Sequence, residues 1–327
     1  MPMTDPFTPS AFSLASLTAA INNLPYQPML LGSMFEEQGI TTTQAAVDIN
    51  DGVLSLVEVK PRGAPGKVVT GEGRRALPFL IPHLPEQASI LADEVQGVRA
   101  FGMESQAEVL QTRINERLAQ MRRNIDYTIE SHRLSAIMGD YINANGDSTS
   151  LFTAFGVVQQ TKAMGWHTSN SSAARTKCTE VLAQIEDALG GIPFTGVRVL
   201  CGATFWASML EDKDVKATYL NTQMASDLRR DPRLEFDFNG LTWTRYRGTS
   251  SVLIGASEAY AIPQGVPGLL ITRFAPANYN DTVNTIGLPY YAKGKPKDFD
   301  KGWDMEAQSN PLNLVTRPAA IIKLTVS

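Results

Sequence analysis

The residue types able to do chemistry are few in this chain, and their spacing defeats most chemistries. Cys178 and Cys201 stand far apart, and His83, His132 and His167 are scattered. Two thiols give no disulfide framework, and these five residues do not fall into the paired spacing of a four-ligand zinc site. Buried thiols are the expectation. Gly63-Ala64-Pro65-Gly66-Lys67 has the look of a phosphate loop, but Val68 stands where Ser or Thr would bind magnesium and Pro61 where the first glycine belongs. Gly71-Glu72-Gly73 lacks the third glycine of a dinucleotide fingerprint. Gly255-Ala256-Ser257-Glu258-Ala259 lacks the second glycine of a nucleophile elbow. Gly146-Asp147-Ser148 has only His167 downstream as a base. His132 falls within a helical pattern and reads as a packing histidine. Asp298, Asp300, Asp304 and Glu306 are interleaved with Lys293, Lys295, Lys297 and Lys301, which makes a self-compensating solvated face. The spacing is not that of an EF-hand. Trp166, Trp206, Trp243 and Trp303 have no helical spacing and read as core or interface anchors. No catalytic constellation emerges, and neither a cofactor nor a metal is expected.

One charged cluster survives this search. Between Glu58 and Arg75, five basic residues (Lys60, Arg62, Lys67, Arg74, Arg75) face two acids, Glu58 and Glu72. The chain as a whole has 29 basic and 33 acidic residues in 327, a formal charge of −4. That balance argues against a general nucleic-acid binder, which needs a basic face. With 43% hydrophobic and 19% charged residues, the chain has ample material for about two domains of core. Residues 1–24 carry no Lys or Arg, so no signal peptide is expected, and no apolar run is long enough to span a membrane.

The elements that must carry these residues are unusual in proportion. Residues 1–46 read as an arm broken by Pro2, Pro6, Pro9, Pro25 and Pro28. Ser10 can cap a short helix over 11–24, with Leu14, Leu17, Ile21 and Leu24 on one face. Such a helix is marginal alone and needs a surface, either its own domain or another subunit. Residues 53–59 and 68–70 read as two strands around a Pro/Gly-rich turn, a long charged hairpin with little to bury. From 104 to 138, Leu110, Ile114, Leu118, Met121, Ile125 and Ile129 recur in steps of 4, 4, 3, 4 and 4, one apolar stripe on a spine helix of ~50 Å. Arg113, Glu116, Arg117, Arg122, Arg123, Asp126, Glu130 and Arg133 fill the other faces, and Gly139 is the stop.

Beyond Gly146 the pattern is mixed. Strands are predicted at 151–161, 197–201, 258–262, 268–274 and 320–326. Helices are predicted at 171–189, 203–210 and 214–220, and a hairpin turning at Asn239-Gly240 over 236–243. This is an α+β order without repeating βαβ units.

The C-terminal segment carries a resemblance. Leu288-Pro289-Tyr290-Tyr291-Ala292-Lys293, followed by Gln308-Ser309-Asn310-Pro311-Leu312 and Arg317-Pro318, resembles the end of the phage lambda-type major capsid protein E family. The order of arm, hairpin, long helix and mixed middle is similar over essentially the whole chain. The resemblance implies an HK97-like capsid fold. It makes residues 1–46 the N-arm and 47–83 the extended loop. Residues 84–165 and 290–327 become a peripheral domain built on the spine helix 104–138, and 166–289 an axial domain. It further implies a self-assembling major capsid protein of a tailed bacteriophage. Hexamers and pentamers would form an icosahedral head around double-stranded DNA, held without sequence-specific binding and with weak attraction to an acidic chain. Portal, scaffold and decoration proteins are the implied partners, and the virion, assembled in the host cytoplasm, the implied location. Lys60, Arg62, Lys67, Arg74, Arg75 and Arg317 are the expected intersubunit contacts. Lys60 and Lys67 lie in the loop that carries a Lys–Asn crosslink in some such shells. No partner site is visible, and no crosslink is expected. Asn310-Pro311 and Arg317-Pro318 are expected to bend the C-terminal strands. Two other readings stay open at this point: an encapsulin-like compartment, which would hold cargo instead of DNA, and a soluble enzyme built on the Asp298–Glu306 cluster.

Overall fold

The protein is described from a computed structural model, for residues 12–24, 30–49, 75–95, 106–166, 173–221, 235–248 and 252–326. The expected hairpin strands at 53–59 and 68–70 lie outside the described residues. Along the chain, α1 (Leu14–Asn23) is followed by β1 (Glu36–Gly39) and β2 (Gln44–Ile49). After the undescribed 50–74 come β3 (Arg75–Leu80), β4 (Leu84–Leu91), the short α2 (Ala92–Val95) and the spine helix α3 (Gln106–Met138). Then come β5 (Asp140–Ile142), β6 (Ser148–Ser150), α4 (Leu151–Phe155), β7 (Thr161–Ala163), α5 (Ala173–Leu189) and β8 (Gly196–Cys201). They are followed by α6 (Ala203–Glu211), α7 (Lys213–Asn221), β9 (Phe236–Phe238), β10 (Leu241–Arg245), β11 (Glu258–Gln264) and β12 (Leu270–Phe274). The C-terminal part holds β13 (Tyr291–Pro296), β14 (Gly302–Ser309), β15 (Pro311–Val315) and β16 (Ile322–Thr325).

Three relationships position everything else. A six-stranded mixed sheet runs β7-β16-β11-β8-β10-β9, and β7 and β16 enter it from the two segments expected to be peripheral. A three-stranded sheet β13-β14-β4 carries α1 on one face. Thr18 exchanges hydrogen bonds with the backbone of Ala292, and the Gly294 N–H donates to the Phe12 carbonyl. The third sheet, β1-β12-β15, lets the arm segment pair in parallel with β12, Glu36 opposite Ile271. At the end of β1 the backbones cross so closely that a Cβ on Gly39 would lie 2.1 Å from the Gly287 carbonyl oxygen, so only glycine fits.

Two apolar cores result. One gathers Phe12 ahead of α1, Leu17 and Ile21 of α1, the α3 stripe from Leu110 to Ile129, and Ile90, Ala292, Met305 and Ala307 of the three-stranded sheet. The larger core fills the six-stranded sheet around Trp243, Phe205 and Trp166, and receives Leu134 and Ile137 from the end of α3. The spine helix therefore spans both cores, which accounts for its 33 residues.

The sequence reading needs three local corrections. α1 is capped by Ser13, whose hydroxyl accepts from the Ser16 N–H at 3.3 Å; Ser10 lies outside the described residues. The strand expected over 151–161 is instead α4 followed by a short β7. Ser150 opens the helix, and Gly156, at φ 70, closes it by donating to the Phe152 and Thr153 carbonyls. β-favouring Leu, Phe and Thr masked a helix whose signal lies in its two ends. The last expected strand, 320–326, begins only at Ile322, because Pro318–Ala320 make a 3-10 turn first. The Asn239-Gly240 hairpin forms with both residues at positive φ, as a two-residue turn requires.

Candidate assembly interface

The face of α3 beside its apolar stripe is charged and nonetheless buried. Arg122, Asp126, Glu130 and Arg133 recur in steps of 4, 4 and 3, and each is at most 7% exposed. The sequence reading placed all four on the mixed faces beside the apolar stripe. Their partners come from the arm and from the chain after residue 240, hundreds of positions away in part. Arg122 donates through Nη1 to the carbonyls of Ile21 at 2.6 Å and Leu24 at 2.7 Å, and its guanidinium stacks 4.6 Å from the Tyr290 ring centre. Its Nε lies 3.7 Å from Asp126 Oδ2, and Asp126 accepts a short hydrogen bond from the Tyr290 hydroxyl. Glu130 Oε1 accepts from the Leu31 N–H and from the Tyr246 hydroxyl, both at 3.2 Å. Arg133 reaches Glu37 of β1 at 2.5 Å and Thr272 of β12, whose hydroxyl donates to Asn313 of β15 at 2.7 Å.

Burial dominates the titration of this seam. It raises the carboxyl pKa of Asp126, against the pull of Tyr290, Arg122 and Arg133. It raises Glu130 likewise, against the Leu31 N–H and Tyr246. The phenols of Tyr246 and Tyr290 are pushed up as well, by burial and by the neighbouring carboxylates. Such a seam fixes position more than it adds stability, because desolvation offsets most of the Coulomb attraction. Chemically it is a clamp that holds the arm on the spine.

The C-terminal motif residues form the joint between sheets. Asn310-Pro311 separates β14 from β15, and Asn310 accepts from the Ala275 N–H through its carbonyl and donates through Nδ2 to the Pro276 carbonyl. Its Oδ1 lies 2.7 Å from His83 Nδ1. Gln308 and Ser309 are fully buried here.

The expected contact residues fall as follows. Lys60, Arg62, Lys67 and Arg74 lie outside the described residues. Arg75 opens β3 opposite Ile49, at the far end of the β2–β3 ladder from Gln44↔Leu80. Arg317 is half-buried before the 3-10 turn, and no described residue pairs with its guanidinium. Several of the other chemical candidates are occupied in packing or pairing. Cys178 and Cys201 are buried free thiols; burial pushes Cys178 up to about 12 and raises Cys201 well above the usual thiol range. Asp304 pairs with Lys297 at 2.8 Å and Glu306 accepts from Tyr279 and Gln87. Trp166, Phe205 and Trp243 pack on one another in the core, and Trp303 stacks on Phe12 at 4.2 Å. Among the described residues no group of three His, Cys, Asp or Glu could hold a metal, and no helix is long and apolar enough to cross a membrane.

Set beside known proteins, residues 13–326 match the model of the family described as phage major capsid protein E. The chain belongs to that family. It is 23% identical over 353 aligned residues to the major capsid protein of Salmonella phage Felix O1 (isolate Felix O1-VT1), covering 96% of each chain. It is 25% identical over 341 residues to the major capsid protein of Pseudomonas phage KPP10, covering 92% of this chain and 97% of that one. Its fold is similar to the crystal structure of a protein described as a prophage capsid protein from E. coli CFT073. That match has a TM-score of 0.58 at 13% identity over 96% of this chain and 99% of the other. The architecture is thus the HK97-like capsid fold, and the protein is a tailed-phage major capsid protein. As a family member it is a structural part of the virion and assembles into a multimeric shell. The arm clamped by the spine seam and the C-terminal joint are features of that shell subunit.

Proposed function

We propose that this capsid protein forms hexamers and pentamers that close an icosahedral head, which encloses double-stranded DNA without sequence-specific binding. In this reading it is a structural protein without an enzymatic role. It assembles in the bacterial cytoplasm with a portal and a scaffold, and decoration proteins bind the finished surface. Residues 1–46 act as the arm, 47–83 as the extended loop, 84–165 and 290–327 as the peripheral domain, and 166–289 as the axial domain. The two apolar cores joined by the spine helix support this division, with β7 and β16 as the strands that tie peripheral segments to the axial sheet.

The observation that carries the loop's role is the β2–β3 ladder. Its six pairs end at Ile49↔Arg75, so the 25 residues from 50 to 74 leave and re-enter the fold at adjacent strand ends. That segment holds four bases (Lys60, Arg62, Lys67, Arg74) against three acids (Asp51, Glu58, Glu72), and Arg75 adjoins it. Residues 58–75 carry five bases and two acids, a net +3, so with −4 overall the remainder of the chain carries −7. Opposite charge on loop and body suits a loop laid on a neighbour. Lys60, Arg62, Lys67, Arg74 and Arg75 are the contacts proposed there, with Arg317 as a further one. A shell benefits from many modest contacts. At micromolar strength each is worth about −8 kcal/mol, so misplaced subunits can still leave, and several together hold the shell.

The test is sedimentation with negative-stain microscopy of the full-length chain beside the double variant Arg74→Glu, Arg75→Glu. Wild-type shells with a folded, unassembled variant support the reading. Normal particles from the variant sink the loop contact.

A further inference from the structure

The turn between β13 and β14 holds a residue that the described residues leave almost unused. Phe299 sits at φ 61, ψ 24, followed by Asp300 at φ 53 and Gly302 at φ 133. Left-handed backbone is ordinary for glycine and asparagine and a true outlier for a bulky aromatic residue. Phe299 is also 89% exposed. Only the Lys301 ammonium approaches its ring among the described residues, 5.4 Å from the centre. A strained backbone here presents an aromatic side chain to solvent. The hairpin turn accounts for the positive φ, but not for an exposed aromatic residue at that position, where glycine or asparagine would fit better.

The same chain carries an open apolar groove. Along the outer face of α1, Leu14, Ala15 and Ala19 face Ile286, Leu288 and Tyr291 across an open, largely apolar groove of about 660 Å³. The two alanines leave a hole on the helix surface. Ile286 and nearby Val283 stand 66% and 67% exposed at its edge. Tyr291, at one end of the groove, begins β13, and Phe299 lies just beyond the other end of that strand, which is about 20 Å long at ~3.3 Å per residue. At 89% exposure, Phe299 does not sit in the groove of its own copy.

We propose that Phe299 of one copy seats in the α1–Ile286 groove of a neighbouring copy. The inference rests on the shell reading and adds a contact to it. One knob and one distant groove per chain make a head-to-tail interface, the kind that closes into rings or extends as a lattice. A buried aromatic anchor in a pocket is also the usual energetic centre of a protein interface.

The experiment uses the full-length chain. Phe299→Gly relieves the backbone and removes the knob. Its unfolding temperature is expected to equal or exceed that of wild type, while its critical concentration for particles rises at least tenfold. A purely local structural role for Phe299 would move stability the other way. In a second variant, Phe299→Cys with Ala19→Cys, mild oxidation is expected to yield a ladder of covalent multimers that neither single replacement gives. Both native thiols are buried, so the introduced pair reports alone. Unchanged assembly by Phe299→Gly, or particles of the double-cysteine variant without a ladder, would overturn the contact and leave the shell reading intact. A wild-type chain that forms no particles overturns the self-assembly reading, and this contact with it.

Discussion

Arg122 Nη1 on the spine helix lies 2.6 Å from the carbonyl oxygen of Ile21, in the last turn of α1. A helix leaves its final carbonyls unpaired and its C-terminal end partially negative. α1 has no basic residue of its own in that turn, so α3 supplies the cation from 101 positions away. The same guanidinium accompanies Asp126, which is buried and hydrogen-bonded to Tyr290. One side chain therefore caps the arm helix and compensates a buried carboxylate.

Arg122→Ala removes both functions at once. The expected loss is about 3–5 kcal/mol, the usual cost of leaving one member of a buried pair alone. Arg122→Lys keeps the charge but not the fork that reaches Ile21 and Leu24 together, so it should recover less than half of that loss. Urea unfolding of the unassembled chain, followed by circular dichroism, measures both. Equal stability of the alanine variant and wild type would show that the clamp is dispensable.

Glu130 gives a sharper test because its ionisation is what burial opposes. Its Oε1 accepts from Leu31 and Tyr246, and its Oε2 has no partner among the described residues. Glu130→Gln retains an acceptor for both donors and should cost no more than about 1 kcal/mol, whereas Glu130→Leu strands both donors and should cost about 2–3 kcal/mol. The pH dependence has a definite sign. The folded-state pKa is raised, so the stability contributed by Glu130 is fully present below its unfolded value and is lost as pH rises through the folded one. The glutamine variant has no such loss. Its stability relative to wild type should rise between pH 4 and pH 7, and a fall over that range would contradict the assignment.

The α3 seam also shows what was legible in the sequence. The apolar stripe from Leu110 to Ile129 announced a long helix, and that helix is present as Gln106–Met138. Arg122, Asp126, Glu130 and Arg133 carry the same 4-4-3 spacing, so the signal for a second buried stripe was there. Its burial was not legible, because its compensation comes from Ile21, Leu31, Glu37 and Tyr290, which only the tertiary fold brings near. The C-terminal block was legible for the opposite reason. Gln308, Ser309 and Asn310 are polar residues fixed in a buried joint between two sheets, where few side chains fit, so the motif itself survives as text. The exposed Phe299 left no mark, since nothing in Lys297-Asp298-Phe299-Asp300 reveals a left-handed backbone.

His132 lies one position from this seam, and its physics runs the other way. Burial lowers its pKa from 6.5 to about 4, and Nδ1 has no partner among the described residues. For a base with a depressed folded-state pKa, stability is fully present above the unfolded value. It is lost as pH falls toward the folded one. Between pH 6.5 and about 4, wild type should lose up to ~3 kcal/mol on this account, from 1.36 kcal/mol per pKa unit. His132→Leu abolishes the titration and leaves no unpaired ring nitrogen, so it should match wild type at pH 7 and exceed it at pH 4.5. Glu130 and Asp126 gain stability over the same descent, so the wild-type curve shows the difference of the two effects and only the variant pair isolates His132. Denaturant midpoints for wild type and His132→Leu at four pH values between 4.5 and 7 decide it. Parallel curves would mean that the imidazole is hydrated in the folded protein and titrates as it does in water.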